Sequence, residues 1–133
     1  MSRAIIALIC VSVMSTVARG QTPTDRVILE RTACFGFCPV YTVEISRGGL
    51  VAFTGKAHVL KTEATRQIES TAFSSLISYL DREGFFGLDS SYTPGNPGCT
   101  HVMTDQPGAT ISVIDGVRTK QVKFYYGCRG DRT

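Results

Sequence analysis

Cysteine is the residue type here with the most chemistry to offer, at positions 10, 34, 38, 99 and 128. Cys34-Phe35-Gly36-Phe37-Cys38-Pro39 brings two thiols close around a glycine. A thioredoxin-like redox centre needs Cys-x-x-Cys at the start of a helix, whose N-terminus lowers a thiolate pKa. The spacing here is Cys-x-x-x-Cys, and Val40-Tyr41-Thr42-Val43 behind it reads as strand. A four-cysteine zinc site usually shows two close pairs, whereas Cys99 and Cys128 stand far apart. Once Cys10 is set aside with the N-terminal segment, four cysteines remain, an even number that reads as two disulfides in an exported chain. Three connectivities are open. The mid-loop Gly36, which lets the chain turn sharply, favours Cys34 with Cys38, leaving Cys99 with Cys128. On loop entropy alone a five-residue ring contributes about 2 kcal/mol and a thirty-residue ring about 3.6 kcal/mol.

Other reactive types are sparse. No paired carboxylates, Gly-x-Ser-x-Gly elbow, phosphate loop or His-Glu-x-x-His occurs. His58 and His101 lack metal-ligand spacing and read as surface residues, so neither a metal nor a cofactor is called for. Asp105, after Thr104, reads as a loop acceptor or Asx-turn residue in preference to a catalytic base. Phe35, Phe37 and Tyr41 could form an aromatic recognition surface, although core packing against a sheet is the commoner use of such residues. Tyr92, Tyr125 and Tyr126 could join a ligand site through their apolar rings and polar tips. The binding candidates are therefore Phe35, Phe37, Tyr41, Tyr92, His101 and Asp105, with no catalytic residue assigned.

These residues must be positioned by short elements. Val27, Leu29 and Arg31 alternate with Ile28, Glu30 and Thr32, predicting a first strand that ends at Cys34. Tyr41, Val43 and Ile45 alternate with Thr42, Glu44 and Ser46, and Arg47-Gly48-Gly49 joins this strand to Leu50–Thr54 as a hairpin closed by Gly55. His58–Lys61 and Ala64–Ile68 could each extend the sheet. From Ser70 the period changes, with Phe73, Leu76, Ile77 and Leu80 spaced as one face of a helix. Ser70 or Thr71 can cap it, Gly84 can end it, and Phe85, Phe86 and Leu88 are expected in the core. Asp89 to Gly108, rich in proline and glycine, reads as a long irregular loop tied down by Cys99. A second hairpin follows, Thr110–Ile114 and Thr119–Tyr126 about Asp115-Gly116. The fold class is α+β: an antiparallel sheet of two hairpins plus an N-terminal strand, with one amphipathic helix on one face.

Arg3, the apolar run Ala4–Met14 and Ala18-Arg19-Gly20 have the layout of a signal peptide over residues 1–20, leaving one domain over 21–133. The run is too short to cross a bilayer as a helix, so no membrane span is expected after cleavage. Cleavage removes Arg3 and Arg19, leaving 12 basic against 11 acidic side chains, scattered singly, and no footprint for nucleic acid.

The stretch Glu30-Arg31-Thr32-Ala33-Cys34-Phe35-Gly36-Phe37-Cys38-Pro39-Val40-Tyr41-Thr42-Val43-Glu44-Ile45 resembles the opening of a bacterial family known only as a domain of unknown function (family 6438), whose pattern there is an Arg followed by Cys-Phe-Gly-x-Cys-Pro-x-Tyr. Thr104-Asp105-Gln106-Pro107, the strand around Ile111 to Val113, and Thr119-Lys120-Gln121-Val122 before Tyr125-Tyr126-Gly127-Cys128 follow in the family's order, so the resemblance covers residues 26 to 130. It implies an exported α+β domain with no assigned activity. Similar domains that keep the first two cysteines while lacking counterparts of Cys99 and Cys128 imply pairing within each set. The expected function is a non-catalytic binding or interaction module of the bacterial envelope, its partner an envelope protein or a small ligand. The alternatives are thiol-disulfide chemistry at Cys34 and Cys38, or inhibition of a secreted hydrolase.

Overall fold

A computed structural model describes residues 25–116 and 118–130, so the predicted signal peptide lies outside the described residues. The chain runs β1 (Arg26–Arg31), β2 (Val40–Ser46), β3 (Leu50–Ala57), β4 (Glu63–Gln67), α1 (Thr71–Arg82), a 3-10 turn (Phe85–Gly87), β5 (Ser91–Tyr92), β6 (His101–Val102), β7 (Gly108–Asp115), β8 (Arg118–Tyr125) and β9 (Cys128–Arg129). Seven strands form one sheet in the order β4-β3-β2-β1-β7-β8-β5, and β6 pairs with β9 in a two-stranded ribbon. The α+β class holds: the sheet is antiparallel apart from β5, which runs parallel to β8.

The expected strand β1 lies at the centre of the sheet, between the two hairpins. Val27 faces Ile45 of β2 and Val113 of β7, and Leu29 faces Val43 and Ile111. Because side chains alternate along a strand, these residues share one face with Val51 and Phe53 of β3 and Val122 of β8. Helix α1 lies on that face through Phe73, Ile77 and Leu80, the residues its periodicity selects. Val113 is 0 % and Phe73 1 % exposed, so the core is centred where the helix crosses β1 and β7. Arg26, Glu30, Thr42, Glu44, Ser112 and Gln121 occupy the opposite face.

Several local expectations are corrected. Strand β3 passes through Gly55 to Ala57. Glycine is required there because a Cβ would meet the Lys61 carbonyl oxygen and the Val59 side chain, where the following loop folds back over the strand. His58–Lys61 forms that loop and adds no strand, with His58 in the left-handed region at φ 52°. Ser70 precedes α1 without a side-chain capping bond, and Ser74 Oγ instead donates to the Thr71 carbonyl. Gly84 does end the helix at φ 72°. Phe85 is buried and Phe86 packs against the core, but Leu88 is 40 % exposed. The segment from Asp89 to Gly108 is not a single irregular loop, since β5 and β6 lie within it.

One end of the sheet carries a charge network. Asp25 accepts from the Gly116 N–H at 2.7 Å and from Arg47 Nε, Arg47 also binds Asp115 at 2.7 Å, and Arg118 joins Asp115 at 2.7 Å to Asp81 of α1 at 2.9 Å. The Arg47 guanidinium lies 5.1 Å from the Phe73 ring centre and that of Arg118 4.2 Å from Phe86, so the network also roofs the core. The Gly116 N–H, and then Arg47, hold the Asp25 carboxyl below its ordinary value of 3.8. A carboxyl whose pKa is lowered by folding contributes stability that is present above its unfolded value and is lost as pH falls through the folded one. Wild type should therefore lose more of its melting temperature than Asp25→Asn between pH 5 and pH 2. Thermal scans at closely spaced pH values check this, and parallel curves for the two proteins would refute it.

Candidate functional site

Three connections meet at the end of the sheet opposite that network. The first, between β1 and β2, contains Cys34 and Cys38, whose sulfurs lie at disulfide distance with Cα atoms 5.6 Å apart. Gly36 takes φ 138°, a backbone conformation that favours glycine, and the short ring turns its two phenylalanines outward. Phe35 is 86 % and Phe37 89 % exposed. The preference for core packing is thus wrong for both: a five-residue ring set in the short connection between neighbouring strands has too little chain to fold either ring onto the sheet. Tyr41, on β2, does pack there, its ring centre 5.4 Å from that of Phe53.

The second connection, between β3 and β4, meets the first where Phe37 sets its edge against His58 at 5.2 Å between centres. It carries Leu60, fully exposed at 105 %. The third is the arm from Thr93 to Pro107. Asp105, at φ 67°, turns its carbonyl to accept from the Phe35 N–H at 3.3 Å, while its carboxylate accepts from Thr104 Oγ1 at 3.0 Å. Asp105 is thus the turn residue its type suggested, and it also ties the arm to the cysteine ring. Thr32 reinforces the link, its hydroxyl accepting from the Gly108 N–H at 2.8 Å and its own N–H donating to the Gly108 carbonyl at 3.0 Å.

The arm is itself fastened to the end of the chain. Cys99 and Cys128 lie at disulfide distance, with Cα atoms 5.1 Å apart, and the Met103 N–H donates to the Gly127 carbonyl at 2.7 Å. The Tyr125 hydroxyl accepts from the Gln106 N–H at 3.1 Å and donates to the Met103 carbonyl at 3.0 Å. A Cβ at position 127 would collide with the Met103 carbonyl oxygen and the Tyr125 ring, so glycine permits this close approach. The three connections leave Leu60, Phe37, Phe35, Val102 and Met103 all solvent-exposed at this end of the sheet. His101 lies at its edge on β6, exposed, its ring nitrogen 3.2 Å from the Thr100 hydroxyl. His58 and His101 are on different connections, and among the described residues no three metal-ligating side chains converge.

A second feature lies on the helix face of the sheet, which one helix does not fully cover. Between the 3-10 turn and β7-β8 is a 440 Å³ cleft lined by Phe85, Leu88, Tyr92, Ala109, Phe124 and Tyr126. Between α1 and β1-β2 lies a 280 Å³ groove lined by Leu29, Tyr41, Val43 and Leu76, and Ile111 lies at the floor of both. Tyr92 and Tyr126 thus meet here, while Tyr125 serves the arm. The Tyr92 hydroxyl is engaged by the Asp89 N–H at 3.1 Å.

Sequence reasoning assigned no role to Arg31. It continues the apolar row Val27, Leu29 and stands cross-strand from both Tyr41 and Ala109. Its guanidinium lies 4.7 Å from the centre of the Tyr126 ring, and Nη1 donates to the Tyr126 hydroxyl at 3.0 Å. Arg31 Nε is buried without a partner, as is Arg26 Nε on the opposite face of the strand. A buried N–H without an acceptor costs about 1–3 kcal/mol. The available signal was positional: an arginine at a core-facing register of an alternating strand.

Among the described residues no helix is long and apolar enough to cross a membrane. No curated protein matches the sequence. Residues 25–132 match the family described as Domain of unknown function (DUF6438), nearly the whole chain, and the protein belongs to that family.

Proposed function

We propose that the protein is an exported, non-catalytic binding module of the bacterial cell envelope that engages its partner through the loop end of the sheet. Residues 1–20 serve as the signal peptide in this reading, and the oxidising compartment they lead to suits cysteines that pair. The observation that carries the proposal is the exposure of Phe35 and Phe37 on a cysteine-closed ring whose backbone is hydrogen-bonded to a second fastened segment. Large apolar side chains held out on an ordered loop lose little conformational freedom when a partner covers them. Large apolar side chains exposed together at one end of a fold mark interaction sites. Redox work at the ring finds less support, because Cys38 leads into strand β2 and, among the described residues, no helix starts beside either cysteine in the chain.

The test compares wild type with Phe35→Ser/Phe37→Ser, both immobilised and exposed to envelope extract of the producing cells. The double variant should melt within a few degrees of wild type, since exposed substitutions change stability by about 0.5 kcal/mol or less. Its affinity for a partner captured by wild type should fall about thirtyfold or more, the loss expected when aromatic anchors are truncated. Capture of the same partner with equal affinity by both proteins, or no capture by wild type, would overturn the proposal.

A further inference from the structure

We infer that the cleft on the helix face binds a single-chain amphiphile with a carboxylate head, the tail lying along the apolar floor and the head meeting Arg31. This site is separate from the loop-end surface, and the inference does not rest on that surface's function.

Three observations converge. First, the 440 Å³ cleft is within the range of small-ligand sites, and its wall is apolar or aromatic. It shares Ile111 with the 280 Å³ groove, so apolar wall continues from one to the other along the sheet, which suits a linear chain more than a compact ring. Second, Arg31 stands on the same face at the loop end of this floor, cross-strand from Tyr41, which lines the groove, and Ala109, which lines the cleft. Third, that guanidinium has no ion-pair partner among the described residues, and its one hydrogen bond goes to the neutral Tyr126 hydroxyl. The other arginines that stack on core aromatics, Arg47 and Arg118, are each paired with aspartates. Arg31 differs in having no acidic partner among the described residues and a buried Nε with its donor unused.

The chemistry selects the head group. A guanidinium presents parallel N–H donors that match the two oxygens of a carboxylate, and with its charge uncompensated beside apolar walls it favours one negative charge. The tail follows from the walls, where each methylene buried contributes favourably and no fixed polar group demands a partner. A quaternary ammonium head on the same tail would meet repulsion at Arg31, so charge sign, with tail length held constant, is the discriminating variable.

The experiment uses the mature protein with its cysteine pairs intact and three probes sharing a twelve-carbon tail: dodecanoate, dodecanol and dodecyltrimethylammonium. Native mass spectrometry and calorimetry below micelle-forming concentrations read the binding. Dodecanoate should bind about tenfold or more tightly than dodecyltrimethylammonium, with dodecanol between them. Arg31→Gln should erase most of this preference by weakening dodecanoate about tenfold while leaving dodecanol within about twofold. Leu88→Trp, at the exposed rim of the 440 Å³ cleft, should weaken all three. The inference is overturned if wild type binds none of the probes, binds all three equally, or keeps its preference after Arg31→Gln. The wild-type comparison needs no variant, so it decides the matter even if Arg31→Gln fails to fold. Self-association of the ligand-free protein that Leu88→Trp abolishes would identify a second copy as the occupant. Binding to anionic phospholipid vesicles without binding of free dodecanoate would identify a membrane surface, and either result overturns the inference.

Discussion

Truncating Phe73 to alanine should lower the free energy of unfolding by about 3–5 kcal/mol, the range for a large aromatic removed from a packed interior. Phe73 is 1 % exposed and is one of only three buried residues on α1, with Ile77 and Leu80. No second helix shares the load, because α1 is the only α-helix among the described residues that lies on the sheet. The Arg47 guanidinium 5.1 Å from the ring centre would also lose its platform, loosening the network that binds Asp25 to Asp115. Small domains are stable by about 5–15 kcal/mol in total, so this one change should bring the fold near its limit. Urea titration followed by circular dichroism measures the effect, with Tyr79→Ala, on the exposed side of the same helix, as the comparison. A loss below about 1 kcal/mol for Phe73→Ala would mean that the helix does not hold the core as described.

Replacing both Cys99 and Cys128 with serine should be the second large effect, about 3.6 kcal/mol from the freed ring, against about 2 kcal/mol for Cys34 and Cys38. The separation of 29 residues between the long pair, against 4 for the short one, is the source of the difference. The consequence is also local. The arm is otherwise held by a ribbon of two residues per strand, β6 on β9, and by the bonds of Met103, Gln106 and Thr100. Without the covalent tie, the Met103 N–H should exchange with solvent faster, and so should the Phe35 N–H that donates to Asp105 across the gap. Hydrogen exchange and denaturant unfolding on the two double variants check both statements. A larger loss from the short ring, or unchanged exchange in the arm, would contradict them.

Local pattern carried much of this fold into view. The alternation of Tyr41, Val43 and Ile45, the Asp115-Gly116 turn and the helical spacing of Phe73, Ile77 and Leu80 each reflect a period that the backbone imposes on burial. The central place of β1 was not legible, because it depends on pairing Arg26 with Ile114 and with Ser46, residues whose partnership no local pattern encodes. Strand β5 escaped for a related reason: two residues, Ser91 and Tyr92, are too few to show a period, and their parallel partner is β8.

Residue type suggested the turn that Asp105 makes at φ 67°, and misled on burial for Phe35 and Phe37. Phenylalanine is buried in most settings, and only the tight geometry of the cysteine ring turns these two outward. Leu60 was invisible for the same reason, since its exposure comes from the fold-back of the loop over Gly55. Arg31 was legible in part. Alternation placed it on the apolar face with Val27 and Leu29, while the uncovered stretch of sheet around it depends on how far α1 extends.

We propose that two covalent sulfur links, formed after export, fix two separate segments into one preformed surface. Peptide mapping without reduction, on the protein recovered from its producing cells, tests it most directly. The expected result is a mature N-terminus at Gln21, with one linked fragment joining Cys34 to Cys38 and another joining Cys99 to Cys128. Free thiols at these positions, or a crossed connection between the two sets, would contradict the claim.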